Sequence, residues 1–470
     1  MSLNAALNAA QLSLSANSKR ISVSARNVAG AGDLNYSRKL APLITYDGGV
    51  YAAGPTRAAD MRLYERYIEA MSASTREQAL LSGLTRLSDT VGDTGAGTSL
   101  VARLGALNDA LTEYANAPGD ANLARAAING AKDLASSLNE AAKVVDEVRS
   151  GAEQDIGNSV SRINELLKEF GEVNSRVVRG SATGADITDD LDRRDMLVAQ
   201  LSEEVGITVL TRANNDVALY TDGGVTLFET NARTVILDPA TKQVFIDGVQ
   251  VTGSGAPMPS KSGRLVGLVG LRDTVAKEYG EQLDNLALGL ITAFREIDPA
   301  ATDPDRMGLF SYDGAASVDL PIAAGDLAGL ARTIVVNAAV DPAAGGDPNS
   351  LRDGINYAYN TESAPAFSDR LFTLLNQFDA PDTALGDKNL LDYAAFTVSS
   401  VEAQRKSADA AGKSSEAVLQ LVTTSLSNAR GVDVNEETAL QLELERLFSA
   451  SAQLISVVDN LFKTLLSIVG

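Results

Sequence analysis

The 470-residue chain contains no cysteine, no histidine and no tryptophan. Without cysteine it forms no disulfide and offers no thiolate to a metal ion or a substrate. Histidine is the side chain that most readily exchanges a proton near neutral pH, and without it a metal site has only oxygen ligands, which suit zinc and copper poorly. These absences argue against an enzyme and indicate that the protein needs no cofactor.

Positive charge and long apolar runs are also scarce. The chain has 40 lysine and arginine residues against 61 acidic residues, which gives a net charge of −21. Nucleic acids and anionic membranes both select clustered positive charge, so neither is an expected partner. No apolar stretch reaches the length of about 18 residues that suggests a membrane span, and residues 1–20 lack the pattern of a cleaved signal peptide.

The N-terminal segment has the spacing of a coiled-coil helix. Apolar and small side chains alternate steps of four and three residues, which is the heptad pattern of a helix that packs along a partner. The large side chains that we expect at this assembly interface are Leu3, Leu7, Leu14, Ile21 and Val28. The smaller residues Ala10, Asn17 and Ser24 complete the pattern between them.

The C-terminal segment repeats this pattern and adds a second apolar line, beginning after Asn435, the expected N-cap. The first line is Leu440, Leu444, Leu447, Ser451, Leu454, Val458, Leu461, Leu465 and Ile468. The second line is Phe448, Ile455, Phe462 and Val469. Together they form a face too wide for one partner helix. We predict that the terminal helices pair and bury the remaining apolar line between subunits; two ordinary core helices of a globular domain are the alternative.

Between the termini, helical periodicity alternates with short β-prone runs. The spacing predicts helices over 61–92, 98–116, 121–178 and 390–429. The second half of the third helix repeats the heptad pattern at Ile156, Val160, Ile163, Leu167, Phe170, Asn174 and Val177. Short strands between Ile207 and Ile246 are separated by Asn-Asn-Asp, Asp-Gly-Gly and Asp-Gly turns, which is typical of antiparallel hairpins. The sequence thus predicts a mainly α fold with inserted β, in which a helical bundle and a small antiparallel β domain accompany the paired terminal helices.

The predicted architecture is a discontinuous multidomain one, because helical segments recur on both sides of the β-prone region. Its four parts are a terminal coiled-coil domain (1–60 with 431–470), a helical bundle domain (61–204 with 264–299 and 389–430), a small β domain (205–263), and a second insertion or loose segment (300–388).

An acidic cluster lies at Asp186, Asp189, Asp190, Asp192 and Asp195, with Arg193 and Arg194 among the carboxylates. Carboxylate oxygens suit calcium or magnesium, but the segment lacks the turn glycine and the terminal glutamate of an EF-hand loop. We therefore interpret it as the acidic first turn of a helix with a buried arginine–aspartate pair. No other pair of carboxylates is marked out for hydrolysis, so catalysis is a minor alternative.

Residues 27–38 read Asn-Val-Ala-Gly-Ala-Gly-Asp-Leu-Asn-Tyr-Ser-Arg. This segment resembles the motif asparagine-isoleucine-alanine-asparagine … proline-glycine-tyrosine-serine-arginine of the proteins that build the flagellar rod, hook and junction. The matching residues are Asn27, Ala29, Tyr36, Ser37 and Arg38. The chain departs from the motif at Gly30, which replaces the second asparagine, and at Leu34 and Asn35, which replace proline and glycine.

Two further segments narrow the resemblance to the flagellar hook-associated proteins of the hook–filament junction. Arg194 and Asp195 lie in a segment similar to the family's leucine-aspartate-x-arginine-aspartate helix start. The C-terminal segment around Gly431, Val432, Glu436 and Glu437 is similar to the family's glycine-valine-asparagine-leucine-aspartate-glutamate-glutamate motif. The resemblance covers both termini and residues 185–295.

The resemblance implies a structural, non-enzymatic component of the bacterial flagellum that joins hook to filament and is needed for filament assembly and motility. In that family the terminal helices form an inner tube. The implied partners are further copies of the same chain in a ring, the hook protein, the second hook–filament junction protein and a cytoplasmic export chaperone on the C-terminal helix. Export through the flagellar type III secretion apparatus would place the protein outside the cell without a cleaved signal peptide.

A cytosolic coiled-coil scaffold is one alternative, although it would not need an apolar pattern that continues to Ile468 and Val469. Two other functions, both on the flagellum, also remain open from the sequence. A hook or filament subunit is the first, although hook proteins have a mostly β middle and filament proteins lack the Tyr36-Ser37-Arg38 element. The second is a hydrolase carried on the axial structure, which would need an acid pair within residues 300–388.

Overall fold

The computed structural model describes residues 3–33, 35–46, 49–92, 97–315 and 318–469, with backbone alone for 46, 49, 468 and 469. The fold is mainly α with inserted β, as the sequence predicts. The helices are α1 (Leu3–Gly30), α2 (Met61–Asp89), α3 (Leu100–Asn116), α4 (Ala121–Thr183), α5 (Thr188–Glu204), α6 (Arg264–Gly270), α7 (Ala276–Ala293), α8 (Leu330–Thr333), α9 (Ser350–Asp353), α10 (Asp369–Asp379), α11 (Leu390–Arg430) and α12 (Val434–Val469).

Within the described residues, the strands are short and pair antiparallel in five small sheets. They are β1 (Lys39–Leu40), β2 (Leu43–Tyr46), β3 (Gly49–Ala52), β4 (Thr56–Arg57), β5 (Ile207–Thr211), β6 (Val217–Thr221), β7 (Thr226–Phe228), β8 (Val235–Leu237), β9 (Val244–Ile246), β10 (Val249–Gln250), β11 (Phe310–Tyr312) and β12 (Ile334–Val336).

The chain divides into two compact units. The first comprises residues 1–76, 157–266 and 413–470, and the second comprises residues 77–156 and 267–412. Because the boundaries fall within α2, α4, α6 and α11, these helices contribute residues to both units. The four-domain division expected from the sequence stays a prediction.

In the first unit, α1 and α12 lie side by side and run antiparallel. Ser13 and Ser451 share a hydrogen bond of 3.1 Å between their Oγ atoms, and Ser24 Oγ donates to the carbonyl oxygen of Glu437 at 3.1 Å. The buried residues of α12 are Glu437, Leu444, Ser451 and Val458, which recur every seven residues. The predicted pairing of the terminal helices is confirmed, and the buried positions of α12 alternate between polar and apolar side chains.

The predicted N-cap of α12 is wrong. Asn435 already lies inside the helix, and Asp433 precedes its first residue, Val434. Asp433 Oδ1 accepts hydrogen bonds from the backbone N–H groups of Asn435 and Glu436, at 2.8 and 3.3 Å. Aspartate caps as well as asparagine and adds a negative charge at the positive end of the helix dipole.

The β part of the first unit contains two three-stranded sheets, ordered β5-β6-β7 and β10-β9-β8. The predicted Asp-Gly hairpin joins β9 to β10: Ile246 pairs with Val249, and Asp247 and Gly248 have φ values of 51° and 81°. Positive φ at both central residues is the geometry that a two-residue hairpin turn requires.

The buried side of α4 packs against these sheets. The predicted heptad positions Val160, Ile163, Leu167, Phe170, Asn174 and Val177 are all buried. Phe170 meets Phe228 edge-on, with 5.0 Å between ring centroids. Asn164 lies across from β8, where its Nδ2 donates to Val235 O at 2.8 Å and its Oδ1 accepts from Val235 N at 3.0 Å. Side chains of α4 therefore replace a neighbouring strand for these backbone groups.

In the second unit, residues 300–388 contribute to a packed core. Strands β11 and β12 pair with Phe310 opposite Val336. Phe294, at the end of α7, contacts both Phe310 and Phe378 edge-on, with centroid distances of 5.3 and 6.2 Å. Glu296 is buried and accepts hydrogen bonds from the backbone N–H groups of 355 and 356 at 2.7 and 2.6 Å.

We predict that Phe170→Ala lowers the free energy of unfolding by about 3–5 kcal/mol, because it removes a fully buried ring and leaves a cavity against Phe228. Urea unfolding followed by circular dichroism would measure the change. Lys168→Ala, at an exposed position of the same helix, is the matched control and should change stability little. Equal effects of both substitutions would contradict this account of the core.

Candidate assembly interface

The end of α1 and the segment that follows it are held by Asn27. This side chain is buried; its Oδ1 accepts from Lys39 N at 2.8 Å and from the Tyr36 hydroxyl at 3.0 Å. Its Nδ2 donates to Lys39 O at 2.9 Å and to Glu437 Oε1 at 3.1 Å. One amide thus joins α1, the following segment and α12.

Gly30, a departure from the motif, is explained by Tyr36. A Cβ atom at Gly30 would lie 2.6 Å from the tyrosine ring, which is closer than carbon atoms approach. Burial raises the pKa of Tyr36 to about 12, so its hydroxyl stays protonated and donates to Asn27. Leu34, the next departure, lies outside the described residues.

Glu437 is the second residue, after Asn27, that joins the N-terminal motif to α12. It is buried at the first turn of α12, and its Oε1 accepts from Arg38 Nε at 2.7 Å in addition to Asn27. Arg38 also lies 3.5 Å from Glu436, and its backbone N–H donates to Arg430 O at 2.7 Å. The Tyr-Ser-Arg motif and the C-terminal motif, far apart in sequence, therefore meet at one place.

Five charged residues form what we call the ion-pair cluster: Lys39, Arg57, Asp189, Asp192 and Asp195. The Lys39 ammonium is fully buried and lies 2.8 Å from both Asp189 Oδ1 and Asp192 Oδ2. Arg57 NH1 lies 3.2 Å from Asp192 Oδ1 and 2.7 Å from Asp195 Oδ2. The three acids are spaced at i, i+3 and i+6, so α5 presents them on one face.

Charge pairing opposes the cost of burial in this cluster. Burial lowers the pKa of Arg57, but the carboxylates of Asp195 and Asp192 outweigh it and raise the pKa overall. For Asp189, burial raises the pKa. The hydrogen bond and charge of Lys39, together with the charge of Arg26, lower the pKa by more than burial raises it. The net effect is a lowered pKa, so Asp189 stays ionised at neutral pH.

Arg26 adds a link between α1 and the start of α5. Its guanidinium lies 2.8 Å from Asp186 Oδ2 and 2.8 Å from Asp189 Oδ2. Burial raises the pKa of Asp186, but hydrogen bonds from Arg26 and Thr188 outweigh it, and the net pKa is lowered. The interpretation of the acidic segment as the first turn of a helix is confirmed, because Asp189 and Asp190 lie in the first turn of α5. The buried arginine that pairs with its aspartates is Arg57, which lies outside the segment.

Not every motif residue joins this site. Arg194 points away, donating to Asn174 Oδ1 at 3.1 Å and to the carbonyl of Asn215, and burial lowers its pKa. Ala29 is exposed, whereas Gly431 and Val432 form the turn between α11 and α12.

Two other motif residues do join the ion-pair cluster. Ser37 is buried, and its backbone N–H donates to Asp192 Oδ2 at 3.3 Å. Asp195 joins through Arg57.

Sequence reasoning missed Lys39, Arg57 and Arg26. A usable signal was present: three aspartates on one helical face need cations when that face is buried. Lys39 directly follows the Tyr-Ser-Arg motif in a segment otherwise rich in apolar residues. The missing information was which distant segment lies against α5.

The predicted apolar interface of α12 is mostly open. Leu444 and Val458 are buried, and Leu440, Ile455 and Phe462 are partly buried. The exposed members are Leu447, Phe448, Leu454, Leu461 and Leu465. The side chains of Ile468 and Val469 lie outside the described residues. On α1, the predicted residues Leu3, Leu7, Leu14, Ile21 and Val28 are all partly buried. Large apolar side chains that stay exposed are typical of a surface covered by another protein.

The central part of this helix pair is also uncharged. Residues 447–458 of α12 and 3–18 of α1 include no charged side chain. Across all residues that the structure describes, no group of three or more acidic side chains is placed to hold a metal ion. None of the described helices is long and apolar enough to span a membrane. The arrangement is suited to packing helices against helices.

Residues 84–309 match the family model described as "Flagellar hook-associated protein FlgK helical domain". Flagellar hook-associated protein 1 of Bacillus subtilis (strain 168) is 20% identical over 513 aligned positions, which cover 99% of this chain and 98% of that protein. Flagellar hook-associated protein 1 of Salmonella typhimurium is 25% identical over 266 residues, covering 55% of this chain and 48% of that protein.

Among solved structures, the chain is similar to the flagellar hook junction protein FlgK from Burkholderia pseudomallei. The TM-score is 0.43 and the sequence identity 20%, over 53% of this chain and 46% of that chain. The chain thus spans nearly the whole Bacillus relative and about half of the Salmonella relative.

We predict that Asp192→Ala destabilises the protein by about 3 kcal/mol, because it leaves the buried Lys39 and Arg57 with one carboxylate each. Chemical denaturation would measure the loss. Glu169→Ala, which breaks the exposed pair with Arg193, is the control and should cost at most about 1 kcal/mol. The same small loss for both variants would show that the cluster contributes little.

We also predict an acid-sensitive contribution from Arg26. The pKa values of Asp186 and Asp189 are lowered in the folded protein, so their contribution to stability is present above the usual carboxyl pKa of about 4 and is lost as pH falls below it. Arg26→Met should therefore reduce stability at neutral pH and flatten its decrease between about pH 5 and about pH 3. Parallel stability–pH curves for the two proteins would refute this link.

Proposed function

We propose that this chain is a flagellar hook-associated protein and acts as a structural subunit of the junction between hook and filament. The observation that carries the proposal is the open apolar face of α12 beside the meeting point of the two terminal motifs. Exposed apolar side chains contribute no hydrophobic free energy to a monomer, whereas a subunit of an assembly buries them against its neighbours.

The Bacillus and Salmonella relatives carry the name flagellar hook-associated protein 1, and these homologues are structural proteins of the flagellum. We propose that this chain likewise has no enzymatic activity. Of the alternatives left open by the sequence, a hook or filament subunit agrees less well with these relatives than a junction subunit does. No observation favours a hydrolase.

The proposed assembly is a ring in which α1 and α12 of many copies form an inner tube. Leu447, Phe448 and Leu454 on α12 would face neighbouring copies, because they are exposed in the isolated chain. Leu444 would stay within the α1–α12 pair, where it is already buried. Asn27, Arg38 and Glu437 would set the position of the pair relative to the rest of the first unit, because they bond both helices to the segment between them.

The proposed partners at the two ends of the ring are the hook protein and the second hook–filament junction protein. The exposed apolar residues of α12 would also require protection before assembly, so a cytoplasmic chaperone bound to the C-terminal helix is part of the proposal. Export through the flagellar type III secretion apparatus, without a cleaved signal peptide, would place the protein on the cell exterior.

Deleting the gene in its own bacterium tests this function. We expect non-motile cells that carry hooks without filaments and release filament protein into the medium, because filaments would have no base on which to grow. Electron microscopy of the cells and gel analysis of the medium provide the two measurements. Restoring the unmodified gene should restore filaments, and normal filaments on the deletion strain would refute the proposal.

A further inference from the structure

Residues 38–46 and 49–58, which we call the hairpin arm, lie between α1 and α2. Lys39 pairs with Arg57 at the base of the arm, and Leu43 pairs with Ala52 farther along it. Within the described ranges β2 and β3 pair only with each other, so the sheet has two strands and both outer edges lack a strand partner. A two-stranded ribbon is weakly stable alone, and the ion-pair cluster anchors this one at its base.

One face of the arm is apolar and open. Ile44 and Tyr51 lie directly opposite each other across β2 and β3 and therefore share a face. Their side chains are 53% and 38% exposed, and we call this pair the arm patch. Residues 40–46 and 49–56 contain no charged side chain, in a protein whose net charge is −21.

A second open apolar surface lies on the last part of α11. Val418 and Leu421 are 50% and 68% exposed, and their spacing of three residues places them side by side on the helix. We call this pair the helix patch. Residues 417–429 again contain no charged side chain. Neither patch covers the other within one chain, because the side chains of both are exposed.

Both patches flank the terminal helices closely. The arm follows the end of α1, and α11 ends at Arg430, just before α12 begins at Val434. The base of the arm touches the end of α11, where Arg38 N donates to Arg430 O. The arm also lies against α1, where Lys19 Nζ donates to Ala52 O at 3.5 Å. Both patches therefore adjoin the segments that join the terminal helices to the rest of the first unit.

We propose that in the assembled ring the arm patch of one copy packs against the helix patch of the next copy. This inference rests on the proposed function. Two different surfaces of one chain that bind each other form a head-to-tail contact, which builds rings or helices and not closed dimers. Copies that each carry a charge of −21 repel, and uncharged apolar surfaces are where they approach at the least electrostatic cost.

Disulfide cross-linking tests the contact directly, because the protein contains no cysteine of its own. Ile44→Cys and Leu421→Cys are made as separate chains and co-expressed in the deletion strain, after each alone has been shown to restore swimming. Mild oxidation of isolated flagella should give a dimer of the two chains on a non-reducing gel, because a disulfide needs Cβ atoms within about 4.5 Å. A chain with both substitutions should give a ladder of higher multimers.

Matched controls lie next to each position. Thr45 is exposed on the opposite face of the arm, so Thr45→Cys is the control for Ile44→Cys. Gln420 is exposed about 100° around α11 from Leu421, so Gln420→Cys is the control for Leu421→Cys. Thr45→Cys with Leu421→Cys, and Ile44→Cys with Gln420→Cys, should give at least fivefold less dimer. If an Ile44 or Leu421 variant does not swim, Tyr51→Cys with Val418→Cys tests the same contact.

The outcomes separate the contact from the function. Swimming cells whose flagella give no more dimer from the patch pairs than from the controls would overturn the proposed contact while leaving the junction role intact. A deletion strain that grows normal filaments without the chain would overturn the junction role itself. Swimming cells with a dimer specific to the patch pairs would support both.

Discussion

The buried ammonium of Lys39 constrains everything around it. A lysine removed from water costs several kcal/mol unless carboxylates lie against it, so the strand that carries Lys39 must dock where Asp189 and Asp192 face inward. That docking fixes the hairpin arm on α5. The backbone of Lys39 also bonds to Asn27, and Asn27 bonds to Glu437. The positions of α1 and α12 therefore follow from the same small polar centre.

This polar centre complements a contact between the terminal helices in which several of the buried side chains are small. Ala10, Ser24 and Ser451 are small residues that let α1 and α12 approach closely but bury little apolar surface. The large side chains, such as Phe448 and Leu454, remain exposed. Hydrogen bonds and ion pairs at one end thus set the register of the pair, and these exposed apolar side chains contribute little to it.

Several features followed from local rules. Heptad spacing identified the buried face of α4 from Val160 to Val177, and the Asp-Gly dipeptide at 247–248 identified a hairpin turn. The acidic segment was correctly interpreted as a helix start. In contrast, the cap of α12 was misplaced by two residues, because Asp433 and Asn435 are both good caps and only the backbone path decides between them.

The sequence alone determined where the long helices form, their heptad faces and the motifs that carry the resemblance to flagellar proteins, because periodicity and residue identity are local properties of a chain. Only the tertiary structure decided which motif residues meet. In the folded chain Asn27 and Arg38 both bond to Glu437. Lys39 and Arg57 pair with aspartates of α5, whereas Arg194 of the same helix bonds to Asn174. Such pairings join segments more than a hundred residues apart in several cases, and no local spacing specifies which distant surface a buried charge will find.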